Sequence, residues 1–415
     1  MNSRRVTFRN AQNLSLAARL DLPQDETPVA YALFAHCFTC TKNIKAAANI
    51  AKALNREKIA VLRFDFTGLG QSEGDFADTN FTTNVADLVA AADFLAREYQ
   101  APQILIGHSL GGAAVLQAAH QIPSTRAVAT LGAPHDPEHV AHQFKENRQQ
   151  IEQHGEAQVS LAGRRFTIKK QFLDDLQMQE LDTHLSTLKA ALLVMHSPRD
   201  KVVGIDNAAR IYQAAKHPKS FISLDQADHL LLDEADSRYA AQMIAAWSHR
   251  YLDDAPEATT PAAVIDNRVT ASTGPDGFFT ELFANGHALV ADEPVNYGGS
   301  DLGPTPYDYL LAALGACTSM TLQMYARHKK IPLQSAIVRL THTKVHAKDC
   351  DSCEASDGKI DRMERSLELI GNLNQEQRQR LLEIADRCPV HKTLHGDVDV
   401  ITRLETPAKE TGSTA

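Results

Sequence analysis

The first half of the chain alternates short apolar runs with amphipathic or alanine-rich segments. Six of the runs have the length of strands that are buried on both faces. They are YALFAHC (31–37), AVLRFDF (60–66), QILIGHS (103–109), AVATLGAP (127–134), AALLVMHS (190–197) and SFISLD (220–225). Since strands that alternate with helices form parallel sheets covered on both sides, this pattern predicts an α/β fold with a doubly wound, mostly parallel sheet.

One long segment interrupts this alternation. Residues 135–188 are polar, rich in Gln, His and Glu, and lie between two predicted strands. Loops that leave the carboxyl edge of a parallel sheet surround its ligand site. We therefore expect an insertion over that edge, such as a lid.

The pattern changes after residue 252. The stretch DDAPEATTPAA (253–263) is small, contains proline and has no periodicity, which is typical of an interdomain linker. Runs of strands broken by two helices follow, and this order favours an α+β fold. The predicted strands are 264–272, 277–283, 287–291, 335–347, 359–370 and 397–404, and the predicted helices are 306–329 and 375–387. We predict domains at 1–252 and 264–405, and a disordered tail at 406–415.

Composition narrows the class of protein. The 415 residues are 43% hydrophobic and 22% charged, as in ordinary globular proteins. The net charge of −9 provides no basic surface for nucleic acid. No stretch reaches the roughly 18 apolar residues of a membrane-spanning helix, and no apolar run follows the first arginines as in a signal peptide. We expect a cytoplasmic protein without a membrane span.

A serine motif stands where a strand passes into a helix. In QILIGHSLGG, the residues Gly107, Ser109 and Gly111 form G-x-S-x-G. Glycines two positions on either side of the serine allow close backbone approach, and the serine hydroxyl is exposed above the sheet. The alternative is a glycine-rich helix start with a solvated serine.

A serine hydroxyl is a weak nucleophile and needs a base and an orienting group. In this architecture an acid and then a histidine follow the serine, in loops after later strands. Asp200 follows the run ALLVMHS, and His229 follows SFISLD. Both residues lie where this geometry requires them.

Other acids and histidines compete for these roles. Asp206 opens a predicted helix, Asp225 ends a predicted strand, and Asp228 lies one residue before His229. His108 and His196 flank the same constellation, and we expect structural roles for them.

With this constellation, residues 1–252 resemble an α/β-hydrolase. The resemblance implies that His229 removes the Ser109 proton, while Asp200 orients the imidazole ring and stabilises the imidazolium. It also implies a carboxylic ester, thioester or related acyl compound as substrate.

The same resemblance implies an oxyanion hole. Its donors would be the backbone N–H groups of Leu110 and Phe38, the second of which lies in the loop after the run YALFAHC. Many family members have His-Gly where this chain has His36-Cys37. A side chain at that turn could narrow or re-aim the hole.

The six cysteines are too sparse for a disulfide scaffold. Cys37 and Cys40 form C-x-x-C, but thioredoxin-like chemistry requires the first cysteine at a helix N-terminus in a suitable fold. Because this pair lies on the expected oxyanion loop, we expect no catalytic role for it.

The predicted helix that begins at Pro306 carries Cys317. Residues 310–317 are apolar nearly all round, which predicts a buried helix in which Cys317 is a small hydrophobic residue. The segments GPTPYDYLLAALGACTSMT (303–321) and ADRCPVHKTL (385–394) together resemble the OsmC/Ohr family over roughly residues 264–405. The resemblance implies that Cys317 attacks an organic hydroperoxide and that Cys388 resolves the sulfenic acid as a disulfide. It also implies a dithiol reductant and a homodimer.

Two departures separate this segment from the peroxidases of that family. Those proteins place a glutamate ten residues before the first cysteine, where this chain has Tyr307 followed by Asp308. They also carry an arginine on an early hairpin, whereas the stretch GPDGFFTEL (274–282) has none and Arg268 is out of register. The alternative is therefore a non-catalytic dimerisation or ligand-binding module. A third possibility couples the two sites on one peroxidised ester.

A metal site is a further hypothesis, because C-x-x-C with two histidines can bind zinc. His342 and His346 are about 13 Å apart if both lie on one strand, so they cannot share an ion unless the strand bends. Cys350 and Cys353 with His346 stay open as ligands, against a solvated hairpin tip. We expect no metal and no cofactor.

Overall fold

The computed structural model describes residues 2–23, 27–161, 163–252, 268–275, 277–285, 287–346 and 359–404. The chain divides into two compact units. The N-terminal unit is Met1–Ser272 with Glu281–Leu289, and the C-terminal unit is Thr273–Thr280 with Val290–Ala415. The predicted linker (253–263) and tail (406–415) lie outside the described residues.

Ten strands belong to the first part of the chain. They are β1 (Asn2–Arg9), β2 (Ser15–Leu22), β3 (Ala30–Ala35), β4 (Ile59–Phe64), β5 (Ile104–His108), β6 (Ala127–Leu131), β7 (Glu156–Leu161), β8 (Arg164–Lys169), β9 (Ala191–His196) and β10 (Lys219–Ser223). Eight of them form one sheet in the order β1-β2-β4-β3-β5-β6-β9-β10, while β7 and β8 form a separate hairpin. From β4 to β10 the neighbours are parallel. The predicted doubly wound, mostly parallel sheet is confirmed.

The antiparallel strands β1 and β2 extend one edge of this sheet and were not predicted. In β2 the burial alternates along the strand, whereas every residue of β3, β4, β5, β6 and β9 is buried. Continuous apolar runs therefore mark the central strands, and the mixed composition of an edge strand conceals it.

Helices cover both faces of the sheet. They are α1 (Lys45–Arg56), α2 (Phe81–Glu98), α3 (Leu110–Ala118), α7 (Asp206–Ala214) and α8 (Glu234–Ser248). Because side chains alternate across a strand, Leu33 of β3 packs into one hydrophobic cluster and Phe34 into the cluster on the opposite face. The two-sided core explains why the central strands tolerate no polar face.

The segment 135–188 folds as an ordered insertion between β6 and β9. It consists of a 3₁₀ stretch (Pro137–Asn147), α4 (Arg148–His154), the β7–β8 hairpin, α5 (Lys170–Gln177) and α6 (Leu181–Thr187). Phe144, Ile151 and Phe172 of this insertion are buried in one of the two hydrophobic clusters. Its polar composition comes from the outer faces, as in β7, where buried and exposed residues alternate.

The later elements are three strands followed by a helix–hairpin–helix arrangement. They are β11 (Val269–Thr273), β12 (Thr280–Ala284), β13 (His287–Ala291), α9 (Pro306–Lys329), β14 (Leu333–His346), β15 (Lys359–Gly371), α10 (Gln375–Ala385) and α11 (Pro389–His395). The first three strands form one sheet, and β14 pairs antiparallel with β15. Thr305 and Asp308 form a capping box that starts α9. The predicted α+β order is confirmed.

Two local predictions for this part were wrong. Within the described residues, 397–404 form no regular strand. The short helix α11 lies before them and was not predicted. Pro389 is the first residue of α11, a position where its missing N–H costs nothing. In addition, α9 is not buried all round, since Leu310, Met320 and Met324 are 44%, 65% and 70% exposed. Among the described residues, no helix has the length and apolarity needed to span a membrane.

A buried ion pair joins β2 to β4. Arg63 Nε lies 2.6 Å from Asp21 Oδ2, and both side chains are almost completely buried. Asp21 also accepts a hydrogen bond from Ser3, while Arg63 donates one to the backbone oxygen of Lys42. These hydrogen bonds satisfy two buried charges near the edge of the sheet. The sequence did not predict this ion pair.

We expect Asp21→Ala to lower the free energy of unfolding of the N-terminal unit by about 3–5 kcal/mol, because it leaves the buried Arg63 charge without its partner. Trp247 is the chain's single tryptophan and lies in this unit, so its fluorescence during urea unfolding reports the change. Glu98→Ala removes the exposed Arg97–Glu98 pair and should cost less than about 1 kcal/mol. Equal effects of the two substitutions would contradict the expectation.

Candidate active site

Ser109 occupies a strained turn between β5 and α3. Its backbone has φ 56° and ψ −127°, a conformation that non-glycine residues rarely adopt. The Ser109 N–H donates a 2.8 Å hydrogen bond to Leu131 O, which ties the turn to the end of β6. The predicted strand–turn–helix context of the motif is therefore present, with the side chain at the end of the sheet.

The two motif glycines are required by close backbone approach. A Cβ on Gly107 would lie 2.3 Å from Gly111 O, and a Cβ on Gly111 would lie 2.4 Å from His36 O. Neither separation is possible for a real side chain. The glycines therefore allow α3 to begin directly against the end of β3.

The structure brings Ser109, His229 and Asp200 together in one hydrogen-bonded chain. His229 Nε2 lies 2.9 Å from Ser109 Oγ, and His229 Nδ1 lies 2.7 Å from Asp200 Oδ2. A carboxylate accepts, so Nδ1 carries the imidazole proton and Nε2 accepts from the serine hydroxyl. This tautomer is the one that a general base for Ser109 requires.

Asp200 is held as a carboxylate. Burial raises the pKa of this carboxyl. Hydrogen bonds from His229, Val203 and Val202 and the charge of His229 lower it by more, so the pKa falls below its ordinary value. The backbone N–H groups of Val202 and Val203 donate to Asp200 Oδ1 at 2.8 and 2.9 Å. These bonds leave Oδ2 for His229.

The competing acids have other partners. Asp206 is the first residue of α7, Asp225 accepts a hydrogen bond from Ser223 Oγ, and Asp228 accepts from the backbone of Leu230 and Leu232. Asp200 is thus the carboxylate that contacts the imidazole ring of His229.

Two further histidines hold the loops of the site. His108 Nε2 donates to His229 O at 2.6 Å, and His196 Nε2 donates to Val203 O at 2.8 Å. Burial is the main cause that lowers both pKa values, that of His108 to about 4. Both rings are therefore neutral near pH 7 and keep the loops of His229 and Asp200 in place.

The expected oxyanion donors lie close to each other. Phe38 and Leu110 line one small cavity of about 10 Å³, together with His36 and Cys37. His36 Nδ1 donates to Cys37 O at 2.8 Å, and burial lowers the pKa of His36 to about 4, so the ring stays neutral. The turn that carries the Phe38 N–H is thereby fixed from inside.

A disulfide between Cys37 and Cys40 closes the same turn, with Cα atoms 5.2 Å apart. This separation lies in the usual range for disulfides. The sequence did not predict this bond, since a C-x-x-C pair on such a loop has no distinguishing pattern. It links the residue before Phe38 to the following part of the loop.

The second cysteine pair is also brought together. Cys388 is the N-cap of α11 and is fully buried, whereas Cys317 on α9 is partly exposed. His391 N–H donates to Cys388 Sγ at 3.3 Å, and Thr318 Oγ1 lies 3.6 Å from the same sulfur. Burial raises the pKa of the Cys388 thiol, but these two bonds, a hydrogen bond with Cys317 and the charge of Arg365 outweigh it and lower the pKa.

Arg365 was missed by sequence reasoning. Its Nη1 donates to Thr318 Oγ1 at 2.9 Å and to Ala385 O at 3.1 Å. It stands on β15 at the same alternation as Leu367 and Leu369, which pack against the small core of the C-terminal unit. The sequence signal that could have identified Arg365 is a charged residue on the otherwise apolar face of a predicted strand.

The departures noted in the sequence have structural counterparts. Tyr307, at the position of the family's glutamate, stacks on His342 with ring centres 4.3 Å apart, and His342 bonds to Asp361 at 2.8 Å. Within the described ranges, no three His, Cys, Asp or Glu side chains form a metal-binding group. Cys350, Cys353 and the side chain of His346 lie outside those ranges.

Comparison with protein families finds two matches. The model described as the alpha/beta hydrolase family matches residues 32–295, which is more than half of the chain. The model described as OsmC-like protein matches residues 298–403. The predicted order, a hydrolase followed by an OsmC-like part, is confirmed.

Two curated relatives each match somewhat less than half of the chain. The mitochondrial palmitoyl-protein thioesterase ABHD10 of Mus musculus is 25% identical over 185 residues, which is 43% of this chain and 61% of the mouse protein. Its counterpart from Rattus norvegicus is 24% identical over 212 residues, 49% of this chain and 70% of the rat protein. This chain therefore spans less than two thirds of the mouse relative.

Solved structures show the same fold. An esterase domain from Rhodothermus marinus is 51% identical, with a TM-score of 0.51, and the match covers 61% of this chain and all of that domain. Est1E from Butyrivibrio proteoclasticus, with ferulic acid bound, is 17% identical with a TM-score of 0.52, over 60% of this chain and 99% of its own. The second likeness shows the fold alone. The predicted hydrolase class is confirmed.

Gly132→Ala should disturb the site although none of the three triad residues is substituted. Gly132 has φ +54°, and a Cβ there would lie 3.2 Å from Asp200 Oδ2 and 3.3 Å from His229 Nδ1. Since a displacement of about 1 Å can cost about 100-fold in rate, we expect kcat for a p-nitrophenyl ester to fall at least about tenfold.

Gly155→Ala is the matched control, because Gly155 has φ +84° but no atom within 4 Å of an added Cβ. It introduces a similar backbone strain away from the site and should leave kcat within about twofold. Equal losses in both variants would show that backbone strain, and not contact with the Asp200–His229 pair, causes the effect.

Proposed function

The chain belongs to the alpha/beta hydrolase family, and from this premise we propose that Ser109, His229 and Asp200 form a catalytic triad that cleaves a carboxylic ester, thioester or related acyl compound. The observation that carries the proposal is the continuous hydrogen-bonded chain of 2.9 and 2.7 Å through the imidazole ring. The names of the similar proteins, an esterase domain and a thioesterase, support this substrate class.

In the proposed reaction, Ser109 Oγ attacks the acyl carbonyl carbon while His229 Nε2 takes the hydroxyl proton. The ionised Asp200 stabilises the imidazolium that forms. The proton then passes to the leaving alcohol or thiol, and a water molecule, activated by the same imidazole, releases the acid from the serine. The strained turn keeps Ser109 Oγ within hydrogen-bond distance of His229 Nε2, which takes its proton when the attack begins.

The oxyanion of the tetrahedral intermediate would accept from the N–H groups of Phe38 and Leu110. Leu110 is the first residue of α3, so its N–H has no acceptor within the helix. One such donor contributes about 10²–10³ in turnover.

The insertion 135–188 is proposed as the lid that shapes the acyl site. Phe172 and Phe144 of the insertion lie 5.2 and 6.5 Å from the Phe38 ring, measured between ring centres, and Phe76 lies 5.4 Å from it. These buried rings pack the insertion against the proposed oxyanion loop. A cytoplasmic location stays a prediction, and the mouse relative is named as mitochondrial.

Ser109→Ala should abolish hydrolysis of p-nitrophenyl esters, with a loss of about 10⁴–10⁶ in kcat, because only binding and the oxyanion donors remain. Ester turnover is measured together with Trp247 fluorescence, which should show an unchanged urea midpoint. Ser223→Ala, which removes a hydroxyl bonded to Asp225, is the matched control and should keep full turnover. Undiminished turnover in Ser109→Ala would overturn the triad.

A second function is proposed for the OsmC-like part. Cys317 would reduce an organic hydroperoxide, Cys388 would resolve the sulfenic acid, and a dithiol would restore both thiols. The contacts of Cys388 Sγ with Thr318 Oγ1 and the His391 N–H and the lowered pKa of its thiol favour this function over a non-catalytic module. The exposed residues Leu310, Met320 and Met324 of α9 support a homodimer through this part.

Cys317→Ser should abolish dithiol-dependent reduction of cumene hydroperoxide, and mass analysis of the wild type after one equivalent of hydroperoxide should show a Cys317–Cys388 disulfide. The double variant Cys37→Ser/Cys40→Ser removes the other described pair and should retain the reduction. If the wild type neither reduces the hydroperoxide nor forms the disulfide, the non-catalytic module is the better description.

A further inference from the structure

We propose that Arg365, acting through Thr318, is a positioning residue that holds Cys388 as the thiolate partner of Cys317. The inference rests on the hydroperoxide chemistry proposed above for this pair, and it names the group that supplies the positive charge. The arginine and glutamate that the resemblance would require are absent from their positions, so this charge must reach the pair from another element.

The guanidinium of Arg365 is fixed at three points. Its Nη1 donates to Thr318 Oγ1 at 2.9 Å and to Ala385 O at 3.1 Å, while Nη2 donates to Asp386 Oδ1 at 2.6 Å. Only 13% of the Arg365 side chain is exposed. An arginine held by three acceptors loses most of its rotamer freedom, so its charge stays at one place.

The buried hydroxyl of Thr318 connects this arginine to the sulfur. Its oxygen lies 2.7 Å from Leu314 O and 3.6 Å from Cys388 Sγ. A hydroxyl has one proton to donate, and a guanidinium can only donate. Thr318 therefore accepts from Arg365, and its own proton goes either to the helix carbonyl or to the sulfur. When Cys388 is ionised, that proton turns to the sulfur while Arg365 keeps the oxygen polarised.

Charged and titratable groups face Cys388 from each neighbouring element. Cys317 comes from α9, Arg365 from β15, Asp386 from the turn before the cysteine, and His391 from α11. Asp386 offsets part of the Arg365 charge. Burial and the charges of its neighbours lower the pKa of His391, so its ring adds little positive charge near pH 7.

His395 is the second histidine on α11, which also carries Lys392. The His395 ring lies 4.4 Å from that of His391, between ring centres. The backbone N–H of His391, and not its ring, contacts the sulfur. Arg365 is thus the fixed positive charge among these groups, since its guanidinium does not deprotonate in proteins.

The chemical consequence concerns closure of the disulfide. The Cys317 sulfur takes one oxygen from the hydroperoxide, which leaves as the alcohol, and Cys317 becomes a sulfenic acid. The Cys388 thiolate then attacks that sulfur, the S–O bond breaks, and hydroxide leaves and takes up a proton to form water. A neutral thiol at Cys388 would first have to lose its proton, so closure speeds up with the thiolate fraction.

The test titrates the Cys388 thiolate by ultraviolet absorbance in the full chain, in a Cys317→Ser background. The contribution of Cys388 is the difference from Cys317→Ser/Cys388→Ser. Thr318→Val keeps the side-chain shape and removes the hydroxyl, and it should raise the apparent pKa of Cys388 by about one unit. At a pH below the pKa values of both proteins, the variant then has about tenfold less thiolate. Arg365→Gln should raise it similarly, while Thr318→Ser should restore the original value.

Arg339→Gln is the matched control, because Arg339 pairs with Glu368 on the exposed face of the same two-stranded sheet. It should leave the Cys388 titration unchanged. Unchanged pKa values in both Thr318→Val and Arg365→Gln would overturn the inference, as would an equal shift in Arg339→Gln.

A second measurement separates this inference from the function on which it rests. With Cys317 present, disulfide closure after one equivalent of cumene hydroperoxide should be about tenfold slower in Thr318→Val at neutral pH and should recover as the pH rises. Failure of the wild type to form the disulfide would count against hydroperoxide reduction. The thiolate titration needs no hydroperoxide and decides the role of Arg365 in either case.

Discussion

The close approach of three backbone segments is the constraint on which the hydrolase site depends. The end of β3, the Ser109 turn and the start of α3 pack so tightly that Gly107 and Gly111 have no room for a Cβ. This approach puts Ser109 into a positive-φ conformation and brings the start of α3 beside the loop of Phe38. The serine oxygen and both candidate oxyanion donors therefore derive their positions from one steric contact. The eight-stranded sheet supplies the rigidity that keeps the turn strained.

Burial then determines the charge state of the site. His36 and His108 lose their affinity for protons because the interior disfavours a charged ring, and they serve as neutral hydrogen-bond donors to loop carbonyls. Asp200 is buried too, but several N–H groups converge on it and keep it ionised. The same low-polarity surroundings thus produce neutral rings where one bond is available and a carboxylate where three are available. A neutral base next to a fixed negative charge is the arrangement that a serine nucleophile needs.

Cys388 follows the same physics as Asp200. Cys388 is buried, which alone would favour the thiol, yet N–H and O–H donors and the charge of Arg365 act against burial. Arg365 comes from β15, far in sequence from both cysteine motifs, and reaches the sulfur through a threonine that adjoins Cys317. A fold can therefore lose the charged residues expected from its family and still supply positive charge from a neighbouring strand. Tyr307 stacked on His342 shows that the vacated position has taken a packing role.

The sequence by itself determined the two-part organisation and the parallel sheet, and it supplied the candidate residues Ser109, His229, Asp200, Cys317 and Cys388. Continuous apolar runs of strand length favour strands buried on both faces, and G-x-S-x-G between a strand and a helix allows few other geometries. The antiparallel edge strands β1 and β2 were not apparent, because a half-buried strand has no continuous apolar run. The sequence also did not show which side chains pair with each other. The Asp21–Arg63 ion pair, the Cys37–Cys40 disulfide and the contact of Arg365 with Thr318 are examples. Only the tertiary structure decided these, since a side chain's partner and pKa depend on what the fold brings next to it, and spacing along the chain carries no such information.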